Sequence, residues 1–425
     1  MKLKLHWQIL IALAFAVAAG LITGQDSALL GVTFDSVYQF IGQLFLQALK
    51  MLIVPLVLSS IIVGVSGLGN DSSLGRMGLK TLLYYALTSF IAINIGLMVV
   101  NFIGPGYIDG EPAKDLIGLQ PVPESTIAKV EGRGAGDIAD IFLRIVPSNI
   151  VAAAHNGQML GLIFFSLLFG FFMTRISQGP AQTMKSFWEG VFETMMGITD
   201  FIMKFAPIGV FGLVAHVIAG LDSQNVAELF SSLALFMLSV LLALAIHAFI
   251  VMPIILSTLA KVNPLRHIKA MLPAMLTAFS TASSSATLPI TMECVEKNAG
   301  VSNKTSSFVL PLGATINMDG TALYECVAAV FIAQAYGLEL TFMTQFTIVL
   351  IALLTSIGVA GIPSASLVAI TIVLSAIGLP LEAIGLILAV DRILDMFRTS
   401  VNVFSDSCGA VVIAKSEGET GILEK

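Results

Sequence analysis

Residues 391–406 read DRILDMFRTSVNVFSD, and they lie inside an otherwise apolar run, 382–415. Asp391, Asp395, Arg398, Asn402 and Asp406 follow one another in steps of 4, 3, 4 and 4, which places them on one face of a helix. Thr399 stands beside that stripe, while Ile393, Leu394, Phe397, Val401 and Val403 fall mostly elsewhere. An ionised side chain at the centre of a bilayer costs roughly 2.5–3.5 kcal/mol, so Asp391, Asp395, Arg398 and Asp406 would together cost on the order of 10 kcal/mol facing lipid. The stripe is therefore expected to face protein or a cavity. Arg398 can grip a carboxylate through two parallel hydrogen bonds, and Asp395 can accept from an ammonium group. One cation among acids, amides and a hydroxyl suits a zwitterionic acid together with metal cations. The competing reading is an ion-pair network that only locks helices together, but Asn402 and Asp406 supply more acceptors than one arginine needs.

The rest of the chain agrees with a membrane setting. Of 425 residues, 56% are hydrophobic and 11% charged, against about 25% charged in a soluble domain; the mean hydropathy is +0.94. Without water to satisfy backbone groups, such a chain folds as membrane helices or a closed barrel. Its apolar runs are continuous and many reach the roughly 20 residues of a helical span, which excludes the short alternating strands of a barrel. The net charge of −6 lies mostly in loops, with no basic patch for nucleic acid. Cys294, Cys326 and Cys408 have neither metal nor disulfide spacing. Lys2 and Lys4 precede an apolar run ending Ala16-Val17-Ala18, as in a signal peptide, but the run continues to Thr23 and reads as a first span.

Six ordinary hydrophobic segments come first, near 5–23, 37–66, 80–104, 139–174, 190–219 and 227–257. The fourth holds Arg144, Pro147, Asn149 and His155 and is expected to be broken. Segment 264–295 turns polar at its middle, with Ser283, Ser284 and their neighbours, and segment 343–378 breaks at Gly358, Gly361 and Pro363. Each precedes a polar-bearing apolar helix, and paired interrupted segments at corresponding places point to a transporter's binding site. Both read as re-entrant hairpins whose tips, SSSATLP (283–289) and AGIPSAS (360–366), offer helix N-termini to carboxylates. Lys2, Lys4, Arg76, Lys80, Arg175, Lys185, Lys261, Arg266 and Lys269 fall in alternate connections, the opposite ones near 24–36, 220–226 and 336–342 have none, and Lys415 stands near the end. This places both termini on the cytoplasmic side.

The run NMDGT (Asn317–Thr321) interrupts segment 303–335. Gly320 loosens the helix, and an unwound turn frees carbonyls beside an amide and a carboxylate, the hard oxygens that an alkali cation prefers. Tyr85, Thr88 and Ser89 share one stretch of the third span; hydroxyls there ordinarily bond back to their own helix. The five histidines (His6, His155, His216, His247 and His267) show no ligand spacing.

These residues resemble a known family. KMLIVPLVLSSIIVGVSGL (50–68), YYALTS (84–89), SSSATLP, GATINMDGTALYE (313–325), GIPSAS (361–366) and DRILDMFRTSVNVFSD fit the pattern of the glutamate transporters, the dicarboxylate/amino acid:cation symporters that include excitatory amino acid transporters and archaeal aspartate transporters. The resemblance implies an all-α membrane protein of eight spans and two re-entrant hairpins, with inverted repeats, in a homotrimer whose transport domain moves like an elevator against a scaffold. It divides the chain into scaffold helices in 1–75, a third helix of the transport domain and an outer loop in 76–138, and a broken fourth helix of the scaffold in 139–186. A fifth scaffold helix follows in 187–222, a sixth helix of the transport domain in 223–260, and the transport core in 261–425.

By the same resemblance, Arg398 would bind the substrate side-chain carboxylate and Asp395 its amino group. Asn402 and the tips, at Ser283, Ser284 and Ile362, would hold the α-carboxylate, with Thr399, Thr321 and Met318 nearby. Three sodium sites are implied. One uses Asp406 with Gly313, Asn317 and Asn402; another uses carbonyls around Thr315 and from Ser356 through Ile357 to Val359. The third uses Tyr85, Thr88, Ser89, Asn317 and Asp319. Asp406 matches sodium-coupled members, and Glu325 resembles the proton-carrying glutamate of the excitatory carriers. An arginine is absent from both of its usual places, which hold Ala282 and Met396; potassium counter-transport is therefore left open.

The expected activity is sodium-driven uptake of aspartate or glutamate across the cell membrane, with proton co-transport as a further element. A C4-dicarboxylate carrier is the alternative that Asp395 argues against, since it would repel succinate. A neutral amino acid carrier is the one that Arg398 argues against. No nucleophile–base pair or metal motif supports an enzyme.

Overall fold

The computed structural model describes residues 5–66, 72–113, 146–155, 159–220, 226–356 and 365–424. They are overwhelmingly helical. Helix α1 (Leu5–Thr23) keeps the bounds its hydropathy predicts. A small hairpin of β1 (Ala28–Leu29) and β2 (Val32–Thr33) leads into α2 (Phe34–Ser66). After α3 (Ser72–Ile103), β3 (Tyr107–Ile108) and β4 (Glu111–Pro112) pair about Asp109-Gly110. Both turn residues have positive φ, 50° and 85°, as a two-residue hairpin turn demands.

The fourth segment is broken, as expected, into α4 (Ile150–His155) and α5 (Met159–Met173). Asn149 caps α4, its Oδ1 accepting from the amides of Val151 at 2.9 Å and Ala152 at 3.1 Å. The fifth segment differs from its expected range, 190–219. Helix α6 begins earlier (Gln178–Met203) and meets α7 (Ala206–Ala219) at 55°. The added turns are too polar for a hydropathy scan to include, and Pro207 suits the first turn of a new helix.

Helix α8 (Val226–Ile246) runs on through a π-helical turn (His247–Val251), Met252–Ile255 and a second π turn (Leu256–Ala260). The amide of Met252 bonds to the carbonyl of His247, five residues back. Pro253 has no N–H and crowds the carbonyl four residues before it, which is where the ladder widens. The serine-rich segment folds as the expected hairpin. Asn263 caps α9 (Pro264–Thr281), Ala282 turns the chain with φ +50°, and Ser283 caps α10 (Ser284–Glu293) by accepting from the amide of Ala286. Then come α11 (Asn303–Ile316), α12 (Asp319–Ala335), α13 (Phe342–Ser356), α14 (Ala365–Ile377) and α15 (Ile384–Ser416).

The helices sort into two packed groups. Helices α1, α2, α5, α6 and α7 lie against one another, with α2 at the centre. Small residues let them close up: a Cβ on Gly212 of α7 would stand 2.7 Å from the Tyr38 carbonyl of α2, the close approach that membrane helices use. The second group gathers α3 and α8–α15 around α12, which is buried along its whole length. Three described helices, 76–103, 227–260 and 303–335, are each long and apolar enough to cross a membrane, and the bent α6–α7 pair adds a fourth. Helix α15 is 33 residues long, and its charged stripe is what removes it from such a count. The chain is thus a multi-pass helical membrane protein.

Beyond α15 the tail folds back. Glu417 accepts from Lys80 Nζ at 2.6 Å and from Arg76 Nη2 at 2.7 Å, and these two cations hold its carboxyl below the usual glutamate range. Glu419 accepts from Ser302 and Thr305 at the start of α11. The amide of Leu423 donates to the Ala299 carbonyl, and Arg266 donates to the Leu423 carbonyl.

Candidate functional site

Arg398 lies at the centre of α15, wholly buried. One terminal nitrogen, Nη2, donates to Asp391 Oδ1 and to Asp395 Oδ1, both at 3.0 Å. The guanidinium carbon sits 3.8 Å above the ring of Tyr324, a cation–π contact. Nε and Nη1 have no hydrogen-bond partner among the described residues. A buried guanidinium with unmet donors costs free energy, and a carboxylate brought alongside would repay it. Among the described residues the stripe is therefore not a closed ion-pair network. Asp395 also accepts from Arg392 Nη1 at 3.1 Å, so its charge is shared between two cations.

One turn on, Asn402 clamps the helix break. The α11–α12 run parts at Asn317 and Met318. Asn402 Oδ1 accepts from the Gly320 amide at 2.8 Å, and its Nδ2 reaches Thr321 Oγ1 at 3.1 Å and Met318 Sδ at 3.5 Å. The stripe and the NMDGT run, predicted apart, thus meet; Thr399 is buried beside them.

Asp406 and Gly313 face each other across α15 and α11. A Cβ on Gly313 would lie 2.5 Å from Asp406 Oδ1 and 2.6 Å from the Tyr85 hydroxyl. Asn317 Nδ2 donates to Asp406 Oδ1 at 2.8 Å, while Asn317 Oδ1 is buried without a partner among the described residues. Tyr85 donates to the Val309 carbonyl at 2.9 Å. An orphaned amide oxygen and a carboxylate around a missing Cβ fit a hard cation such as sodium.

Asp319 collects the third-span hydroxyls. Ser89 Oγ donates to its Oδ1 at 2.6 Å, and Thr88 Oγ1 lies 3.3 Å away. The back-bonding expected of such hydroxyls survives only in part: Thr88 also reaches the Tyr85 carbonyl at 3.2 Å. The other oxygen, Oδ2, accepts from Ser405 at 2.6 Å and faces His247 Nε2 at 3.0 Å. Neither His247 nor Ser405 is singled out by its spacing; the one available signal is that an ionisable side chain inside an apolar span is functional by default.

Glu325 is buried on α12. Its Oε2 lies 2.7 Å from Thr355 Oγ1, and its Oε1 has no partner among the described residues. At the first hairpin tip, Ser283 and Ser284 are buried at the start of α10. Thr315 is exposed, its hydroxyl turned to the Leu312 carbonyl at 3.0 Å. Ser356 ends α13. Ile357, Val359 and Ile362, with the rest of the second tip up to Ser364, lie outside the described residues.

Comparison with known proteins shows the family. The model of the sodium:dicarboxylate symporter family matches residues 5–416. The chain is 34% identical to the proton/sodium-glutamate symport protein of Geobacillus stearothermophilus, over 98% of this chain and 96% of the relative. It is 37% identical to human excitatory amino acid transporter 3, over 97% of this chain and 86% of the relative. It is 35% identical to the proton/glutamate-aspartate symporter of Escherichia coli (strain K12), over 98% and 93%. The family and these relatives are transporters, not enzymes. By a match that runs almost end to end, the chain belongs to the sodium:dicarboxylate symporter family.

Proposed function

We propose that this protein is a secondary active symporter that carries an acidic amino acid, aspartate or glutamate, into the cell with sodium ions. The observation that carries the reading is Arg398, buried with Nε and Nη1 unmet among the described residues, one turn from Asn402 and two from Asp406. The guanidinium takes the side-chain carboxylate of the substrate and Asp395 its ammonium group. Asn402, Thr399, Thr321, Met318, Ser283, Ser284 and Ile362 enclose the rest.

Sodium occupies three sites in this reading. Asp406, Gly313, Asn317 and Asn402 form one, and Tyr85, Thr88, Ser89, Asn317 and Asp319 another. Thr315 with carbonyls from Ser356 to Val359 forms the last. Glu325 carries a proton: the single Thr355 hydrogen has the Ile351 and Ala352 carbonyls as well as Glu325 within reach, and a proton on Oε2 would donate to Thr355 and leave that hydrogen for a carbonyl. The names of two bacterial relatives pair glutamate with protons, and one of them also with sodium, which supports this ion usage.

The architecture that goes with it is eight spans and two re-entrant hairpins, termini cytoplasmic, in a cell-membrane homotrimer. The α1, α2 and α5–α7 group would be the scaffold and the α3 and α8–α15 group the elevator. Purified protein in proteoliposomes is expected to accumulate labelled aspartate under an inward sodium gradient and not under choline. Absence of sodium-dependent uptake would sink the reading, and competition by succinate as strong as by aspartate would turn it toward C4-dicarboxylates.

A further inference from the structure

The two oxygens of Asp319 are furnished differently. Among the described residues, Oδ1 faces only hydroxyls of α3, Ser89 and Thr88. Oδ2 faces Ser405 of α15 and the His247 ring of α8. The His247 and Asp319 side chains are both wholly buried. A carboxylate only accepts, so His247 Nε2 carries the hydrogen and donates. A hydroxyl can rotate and offer its lone pairs to a cation, whereas a ring N–H cannot. The Oδ1 edge is therefore the one that can share a cation with its neighbours, and the Oδ2 edge is the one the protein holds.

His247 has one bond by which it does so, since its Nδ1 has no partner among the described residues. The ring stands where the π turn of α8 begins. On the other side, Ser405 passes the hold onward. Its oxygen accepts from Asn317 Nδ2 at 3.1 Å, and the same nitrogen donates to Asp406 at 2.8 Å. One buried chain of hydrogen bonds thus joins Asp406 to Asp319 and ends at His247.

We infer that His247 is a positioning residue for a sodium site on Asp319, its ring N–H pinning Oδ2 so that Oδ1 stays aimed between Thr88 and Ser89. The inference rests on Asp319 binding sodium, as in the function proposed above. It goes beyond that reading by assigning a role to a side chain that touches no transported species. Partners that orient a metal ligand in this way change affinity by about 10- to 100-fold when removed.

The test titrates sodium chloride against choline chloride at constant ionic strength on the purified full-length protein, reading the rise in melting temperature, with His247→Leu, His247→Gln and Asp319→Asn in parallel. His247→Leu should raise the half-saturating sodium concentration by about 10-fold or more, each titration being read against that variant's own melting temperature in choline. His247→Gln, whose amide N–H can replace the ring donor, should titrate close to the parent. Should the leucine variant not purify as a single species, His247→Phe keeps the ring volume without the N–H. A parental titration in the variant lacking the donor, beside a lost response in Asp319→Asn, overturns the inference, as does a lower melting temperature in choline with no shift in the titration. A parental titration in Asp319→Asn removes the cation reading of Asp319 itself.

Discussion

Gly313 and Asp406 stand so close that only a glycine fits: an added Cβ would meet Oδ1 at 2.5 Å and the Tyr85 hydroxyl at 2.6 Å. Neither neighbour can swing aside freely, because Asn317 holds the carboxylate and the Val309 carbonyl holds the tyrosine. Alanine is better than glycine in a helix by about 1 kcal/mol, but overpacking a tight site costs about 1–3 kcal/mol, so the clash wins. Gly313→Ala is expected to lower stability and to weaken sodium dependence of aspartate uptake at least several-fold. A sodium titration of uptake checks it; an unaltered half-saturation would remove Gly313 and Asp406 from the cation path.

Arg398→Cys removes the only side chain in the stripe that can pair with a second carboxylate of the substrate. Aspartate uptake is expected to vanish, and sodium-dependent uptake of a small neutral amino acid such as serine to appear. Asp391 and Asp395 each lose their ion pair with Arg398; stranding buried charge costs about 3–5 kcal/mol, so the variant should also melt lower. Parallel uptake of labelled aspartate and serine decides the point, and retained aspartate uptake would refute the role.

Glu325→Gln keeps the shape and the bond to Thr355 but cannot release a proton. Uptake by the parent is expected to vary with pH, and that by the variant to be flat between about pH 6 and 9, above the ordinary carboxylate range. Measuring both at fixed sodium tests the assignment; a pH response kept in the variant places the proton elsewhere.

At the tail, Lys80 and Arg76 depress the titration of Glu417. A carboxylate depressed in the folded state stabilises it above its unfolded value, and that contribution is lost as pH falls through the folded one. The clasp should therefore hold at neutral pH and release in acid, below the ordinary glutamate value of about 4.3. Arg76 is largely exposed, so Glu417→Gln should cost no more than about 1 kcal/mol overall, while amide exchange at 417–424 rises markedly. Unchanged exchange in that segment would show that Glu419 and the buried Ile422 and Leu423 carry the tail alone.

Much of this was legible because it is periodic or local. The stripe from Asp391 to Asp406 follows helical steps, the break at Asn317 and Met318 follows from Gly320 and its polar neighbours, and the turn at Ala282 follows from the serines around it. What stayed hidden depends on distance along the chain. His247, Asp319 and Ser405 come from three helices, and nothing in the order of residues says that they meet. The early start of α6 was hidden for the opposite reason: its first turns are polar, and hydropathy does not see them.

The two π turns of α8 carry a consequence for how this helix tolerates change. Each wide turn adds a residue to the winding, so the faces above and below it are offset by about 100° from an uninterrupted helix. Deleting a single residue between His247 and Val251 would let the ladder close up with the faces on both sides kept in place, whereas straightening the turn at its present length would swing one side round by that angle. Either the imidazole or the surface that packs on α15 would then point to lipid. The wide turn is therefore what keeps the two faces in register, and homologous chimeras should be joined outside this stretch.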